Sequence, residues 1–409
     1  MFNTPKGNRL HIAIFGKRNA GKSSLINAFL GQELSIVSKT PGTTTDPVEK
    51  AYELQPFGPV LFIDTAGIDD KGELGKKRIT KTNDVLKRTD LAILLIENNP
   101  DNYELELIKI FTQKNITWIP VINKADLLNE KQIKNLINRI KDISGHDATT
   151  ISVKQKKGIE KLKDIIIKKL DTFSTPPSLI NDLVKPKDTV VLVIPIDKEA
   201  PQGRIILPQV QTIREALDSD VISIVLKDIE LDYALKHILK KQPKLIITDS
   251  QAFEQVNAIV PDNILLTSFS TLFARQKGDL KTYIKGLDII KKLKNGDKIL
   301  IAELCSHRPI AEDIGRIKIP AWLKKHTGVD LQFEAIANKD YPKDLTRYKL
   351  VIQCGGCTVN RKYIISRIEQ AKEQGVAITN YGIIIAYING ILERALTPFD
   401  LTEHPFQKI

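Results

Sequence analysis

The stretch Gly16-Lys17-Arg18-Asn19-Ala20-Gly21-Lys22-Ser23 constrains this chain more than any other. It follows an apolar run, residues 10–15, that reads as a strand, and it precedes a run of helical periodicity. A strand that turns into a helix through G-x-x-x-x-G-K-S builds a phosphate loop. Gly16, Ala20 and Gly21 let backbone N–H groups curl around an anion, and the helix N-terminus adds its positive end. Lys22 can reach β- and γ-phosphates, Ser23 can ligate Mg2+, and Ser24 completes the first turn. Asp64-Thr65-Ala66-Gly67 ends a later strand, with Asp64 suited to the magnesium shell and the Gly67 N–H to sensing a γ-phosphate. Asn123-Lys124-Ala125-Asp126 ends another. The Asp126 carboxylate can pair with both N1–H and N2–H of guanine, which adenine cannot match. Three motifs in this order imply a guanine-nucleotide site, with GTP and Mg2+ as ligands.

Strand and helix patterns alternate along the whole chain, which argues for parallel sheets and an α/β fold. In the first block the strands are expected at 10–15, 60–63, 91–96, 117–122 and 149–153. A second block reads 190–196, 221–226, 245–248 and 264–267; a third reads 298–303, 331–336, 349–352 and 376–379. Prolines cluster at Pro176, Pro177 and Pro186, marking a boundary. The expectation is three domains: a P-loop GTPase fold over 1–173, a linker over 174–188, and parallel-sheet domains over 189–267 and 268–409.

The formal net charge of +12 raises nucleic acid as a partner. Basic residues are dispersed among acidic ones and aromatics are few, so a solvated lysine-rich surface accounts for the charge and no nucleic acid is expected. Three cysteines exclude a disulfide-built fold and fit a reducing compartment, the cytoplasm. Residues 1–9 lack the apolar core of a signal peptide. No membrane span is expected: the apolar stretch 383–392 is broken by Asn389 and Gly390 and reads as a buried helix.

Residues 10–172 resemble the translation-factor-related class of small GTPases, the branch with tRNA-modification and ribosome-assembly members. The resemblance implies that Thr44, in Pro41-Gly42-Thr43-Thr44-Thr45-Asp46, is the switch threonine on Mg2+, and that Ser152 lies in the last guanine loop. Ile68 stands where many GTPases carry a water-orienting glutamine, and an aliphatic side chain cannot orient water. Asn19 matches the asparagine with which this branch holds K+, a cation that would neutralise charge developing in the transition state. Shaping the loop is the other role open to Asn19. Lys22, Thr44, Gly67 and Asn19 are then the expected catalytic groups.

The cysteines fall into two groups, Cys305 in Cys305-Ser306-His307 and the pair in Gln353-Cys354-Gly355-Gly356-Cys357. Each group follows an apolar strand pattern. If both strands share a parallel sheet, all three sulfurs arrive at its carboxyl edge, where α/β proteins place ligands. Three converging thiolates suit an iron–sulfur cluster; a zinc site, a redox pair or buried small residues are the alternatives. Glycines between Cys354 and Cys357 expose N–H groups suited to bonding cluster sulfides. His307, Glu312 and Asp313 lie close enough in sequence to contribute a further ligand.

Cys-x-His followed by Cys-Gly-Gly-Cys, behind a potassium-type GTPase pattern and a middle α/β block, resembles the HydF family of GTPases that mature [FeFe]-hydrogenase. Segments 193–197, 207–214 and 266–269 support the resemblance, which spans nearly the whole chain. It implies a [4Fe–4S] cluster on Cys305, Cys354 and Cys357, a homodimer through the middle domain, and carrier duty for a diiron precursor. It also implies the [FeFe]-hydrogenase apoprotein and radical-SAM maturases as partners. Many members have histidine where this chain has Gln353, a poor iron ligand. Glu312 is favoured over His307 as the fourth ligand, and His307 as a cargo contact. The rival expectation is an RNA-directed GTPase of ribosome assembly or tRNA modification with a structural zinc.

Overall fold

The computed structural model describes residues 4–31, 47–65, 82–173, 176–196, 205–304, 313–337 and 341–399. The chain divides into two compact units, Met1–Thr175 and Pro176–Ile409.

The first unit carries a six-stranded sheet ordered β2-β3-β1-β4-β5-β6. Its strands are β1 (Leu10–Gly16), β2 (Val48–Leu54), β3 (Gly58–Asp64), β4 (Leu91–Ile96), β5 (Thr117–Ile122) and β6 (Thr149–Thr150). β1 lies between β3 and β4, parallel to both, and is buried along nearly its whole length. Continuous apolar strands of this kind suit a sheet covered on both faces, and separate apolar clusters do form on its two sides. β2 departs from the all-parallel expectation: it pairs antiparallel with β3. It is an edge strand rich in Glu and Lys, so it lacks the apolar run by which the others are legible.

The second unit holds two four-stranded parallel sheets. One is ordered β10-β9-β7-β8, from β7 (Thr189–Val193), β8 (Ile222–Leu226), β9 (Leu245–Thr248) and β10 (Leu265–Ser268). The other is ordered β12-β11-β13-β14, from β11 (Lys298–Glu303), β12 (Gln332–Ala337), β13 (Leu350–Gln353) and β14 (Ala377–Asn380). The three expected blocks are thus present as three sheets, but the second and third share one continuous apolar cluster, running from Leu179 to Phe399. Shared burial is why they form a single unit.

Part of the segment expected as a linker is packed against this unit. Leu179 and Ile180 are buried, and Arg275 donates to the carbonyls of Ser178 and Leu179 while pairing with Asp182. The stretch 383–392, read as a buried helix, is largely buried but helical only as far as Ile388: the helix Tyr381–Ile388 stops before Asn389 and Gly390, and another begins at Leu392. Among the described residues no helix is long and apolar enough to cross a membrane.

Candidate functional sites

β1 delivers the first loop. Its last residue, Gly16, leads through residues 17–21 into the helix Lys22–Phe29, so the loop joins strand to helix as the motif requires. Gly21 caps that helix in the left-handed region at φ +92°, and a Cβ there would stand 2.4 Å from the Asn123 Nδ2. Only glycine meets both demands. Asn19 also has a positive φ, 62°, a conformation asparagine tolerates better than most residues. The Lys22 ammonium is buried and donates to the carbonyls of Gly16 at 2.9 Å and Lys17 at 2.6 Å.

Side chains from four segments converge beside this loop. The Ser23 hydroxyl donates to the Asp64 carboxylate at the end of β3, joining two expected magnesium ligands. Burial pushes the Asp64 carboxyl above the usual carboxylate range, while Ser23, Lys22 and Lys50 oppose the shift. Such oxygens can hold a hard divalent cation, whose charge would remove that penalty. Asn123 ties the guanine loop to the phosphate loop: its Nδ2 donates to the Ala20 carbonyl at 2.8 Å, and its Oδ1 accepts from the Val153 N–H at 3.4 Å. The Ser152 hydroxyl donates to Asp126 at 2.6 Å and holds that carboxyl below its usual range, keeping it an acceptor. Lys124 pairs with Glu97 at 2.8 Å, a contact sequence reasoning missed. Ser24 lies in the first turn of the same helix. The expected residues Thr44, Gly67 and Ile68 lie outside the described residues.

The second site forms where β11 and β13 pair in parallel, with Ala302 opposite Gln353. Continued by one residue, that register sets Cys354, the residue after β13, level with Glu303, so that the next residue, Leu304, comes within reach of it. The Leu304 N–H donates to the Cys354 Sγ at 3.1 Å, and the Cys354 N–H donates to the Ala302 carbonyl at 3.0 Å. An N–H aimed at a sulfur stabilises thiolate character, which suits a soft-metal ligand. Burial and the neighbouring Cys354 push the Cys357 thiol up, against the pull of Lys277. Gly356 adopts φ +63°, and a Cβ there would lie 2.3 Å from the Ile364 Cδ1 and 3.0 Å from the Leu304 Cδ1.

Two supports of this loop carried no signal in the sequence. Lys277, the last residue of the helix Phe269–Lys277, donates to the carbonyls of Gly356, Cys357 and Val359. Tyr283, fully buried, receives a bond of 3.2 Å from the Gln353 Nε2. Gln353 is itself 0% exposed, and its Oε1 has no partner among the described residues. This glutamine is therefore held inside the sheet layer.

Asp313, one of the oxygen donors considered, instead caps the turn Ile314–Lys318 by accepting from the Arg316 N–H at 2.7 Å. Cys305, His307 and Glu312 lie outside the described residues. Among the described residues no three His, Cys, Asp or Glu side chains gather into a metal site. The cysteine pair, the N–H on sulfur and the buried cation beside the loop nevertheless fit a thiolate-ligated cluster.

The first sheet and its loop geometry define a P-loop GTPase domain, and residues 11–124 match the profile of a 50S ribosome-binding GTPase. GTPase Der of Kosmotoga olearia is 34% identical over 189 residues, covering 43% of this chain and 42% of its own length. The tRNA modification GTPase MnmE of Thermoanaerobacter sp. is 38% identical over 163 residues, 38% of this chain and 34% of its own length. The chain thus spans less than half the length of these relatives. The solved structure of Aquifex aeolicus Era bound to GDP and AlF4 is 22% identical, covers 53% of this chain and 92% of its own, and has a TM-score of 0.36. Residues 179–278 match the hydrogen maturase F dimerization domain, and residues 281–398 match the hydrogen maturase F tetramerization domain. The chain belongs to the hydrogen maturase F (HydF) family.

Proposed function

We propose that this chain is a GTP-hydrolysing carrier that holds a [4Fe–4S] cluster and a diiron unit and passes the diiron unit to apo-[FeFe]-hydrogenase. The carrying observation is the parallel pairing of β11 and β13, which brings the two strand ends together so that the Leu304 N–H bonds the Cys354 sulfur. Cys305, Cys354 and Cys357 would hold the cluster, with Glu312 as the weak fourth ligand and His307 toward the cargo. A bound cluster would supply an iron site open to ligand exchange. The chain's own residues do the rest. Lys277 and the Gly356 turn shape the loop, Tyr283 and Gln353 close its floor, and Leu304 donates to sulfur.

In the first unit Lys22 would meet the phosphates, Ser23, Thr44 and Asp64 the Mg2+, Gly67 the γ-phosphate, and Asn123, Asp126 and Ser152 the guanine. Asn19 would hold K+ in place of the glutamine that Ile68 displaces. In functional terms we assign 1–173 to the nucleotide, 189–267 to dimerisation and 268–409 to the cluster. The family profiles support oligomer formation. A dimer surface is available on β8, an edge strand with Ile222 54% and Val225 51% exposed. Radical-SAM maturases would supply the cargo, in a reducing cytoplasm.

Anaerobic purification tests the reading. Iron near four per chain, with visible absorption of a cubane, is expected, together with transfer that restores hydrogenase activity. Stoichiometric zinc without iron would point to the RNA-directed alternative.

A further inference from the structure

Lys277 is a buried cation whose charge the fold does not explain. It is 4% exposed, and its three bonds run to the carbonyls of Gly356 at 3.4 Å, Cys357 at 3.0 Å and Val359 at 3.1 Å. The three carbonyls take up all three ammonium donors, but they are neutral dipoles and leave the charge without a balancing anion. Removing an ammonium from water costs several kcal/mol unless an anion answers it. Among the described residues no carboxylate pairs with Lys277, and the ionisable group it faces is the Cys357 thiol. Cys354 adds a second sulfur to the same loop. A cation bonded to the Cys357 carbonyl, in a loop that also carries Cys354, with the helix Phe269–Lys277 fixing its position, is suited to a group that carries negative charge there.

We propose that Lys277 is the positioning residue and built-in countercharge of the Cys354–Cys357 loop, shaping it through three carbonyls and easing the addition of an electron to a sulfur-bound iron cluster. The inference rests on the reading that these cysteines hold such a cluster. A fixed positive charge beside the sulfurs stabilises the more negative, reduced state and so raises the midpoint potential.

The full-length protein is compared with Lys277→Met and Lys277→Gln, each reconstituted anaerobically with ferrous iron and sulfide. Iron content is measured, and the midpoint potential is read by electron paramagnetic resonance during titration with dithionite, which supplies the electron. Both variants should shift to a more negative potential. Lys277→Gln, which keeps N–H donors, should retain more iron than Lys277→Met. An unchanged potential in either iron-loaded variant would overturn the countercharge. Failure of both variants to fold, seen by circular dichroism, would overturn it equally by assigning Lys277 to stability alone. Wild-type protein that binds no iron would instead sink the parent reading.

Discussion

Lys22 and Lys277 are both buried ammonium groups that donate to carbonyls of loops leaving the carboxyl ends of parallel strands. Lys22 bonds within its own loop, to Gly16 and Lys17. Lys277 reaches a loop 80 positions away along the chain. The first arrangement is a contiguous motif that any fold with a strand–loop–helix turn can house. The second exists only where a helix end is packed against a loop from a distant strand. Each loop also has glycine at positive φ pressed against another segment: Gly16 against Leu95 and Gly21 against Asn123 in the first, Gly356 against Ile364 and Leu304 in the second. The similarity lies in the physics: both loops combine close backbone approach with a buried lysine.

Substituting the thiols should have the largest effect. Cys354→Ser or Cys357→Ser should abolish or strongly reduce iron binding after anaerobic reconstitution, because two thiolates rarely retain a cubane. Full iron content in either variant would separate the second loop from metal binding and break the comparison.

Next comes guanine choice. Asp126→Asn should weaken GTP binding and favour xanthosine triphosphate, since the donors and acceptors facing the base are then mismatched. Calorimetric titration with both nucleotides decides it, and persistent preference for GTP would remove the guanine assignment.

A pH series should single out the first unit. His11, in β1, is 4% exposed, and burial lowers its pKa from 6.5 to about 4. Below 6.5 the unfolded chain takes up a proton that the folded chain refuses. The stability contribution is therefore complete above that pH and is lost as pH falls towards 4. At ~1.4 kcal/mol per unit the loss amounts to about 3 kcal/mol. Urea unfolding of His11→Gln should show a weaker acid dependence than wild type.

The glycines test whether the two loops are equally tight. Gly356→Ala should destabilise the second unit by about 1–3 kcal/mol, through strain at positive φ and collision with Ile364 and Leu304. A thermal-melt shift restricted to one of two transitions would register it. Smallest is the cation effect: phosphate release should run severalfold faster in KCl than in NaCl, and Asn19→Ala should erase the difference. Equal rates in both salts would leave the positive φ of Asn19 as the whole reason for an asparagine there.

Much of the first site was legible because its chemistry is local. Gly16 to Ser23 are consecutive, Asn123 to Asp126 follow a strand end, and the apolar runs of β1, β4 and β5 mark buried strands directly. The Ser23–Asp64 and Ser152–Asp126 contacts join residues already singled out. The second site was legible only as a cysteine pattern. Nothing in Phe269–Lys277 separates a lysine that turns inward from one that ends a solvated helix. The glutamine before Cys354 reads as a lost ligand, yet its burial and bond to Tyr283 depend on which face of β13 it occupies.

The sequence alone determined the phosphate loop, the guanine loop, three parallel α/β blocks and the pairing of cysteines with strand ends. These follow from short-range periodicity and from chemistry carried by neighbouring residues. The tertiary structure decided the antiparallel edge at β2, the shared core of the second and third sheets, and the pairing of β11 with β13. It also decided the burial of Lys277 and Gln353. Those features depend on which distant surfaces exclude water from one another, and that is settled only when the whole chain packs.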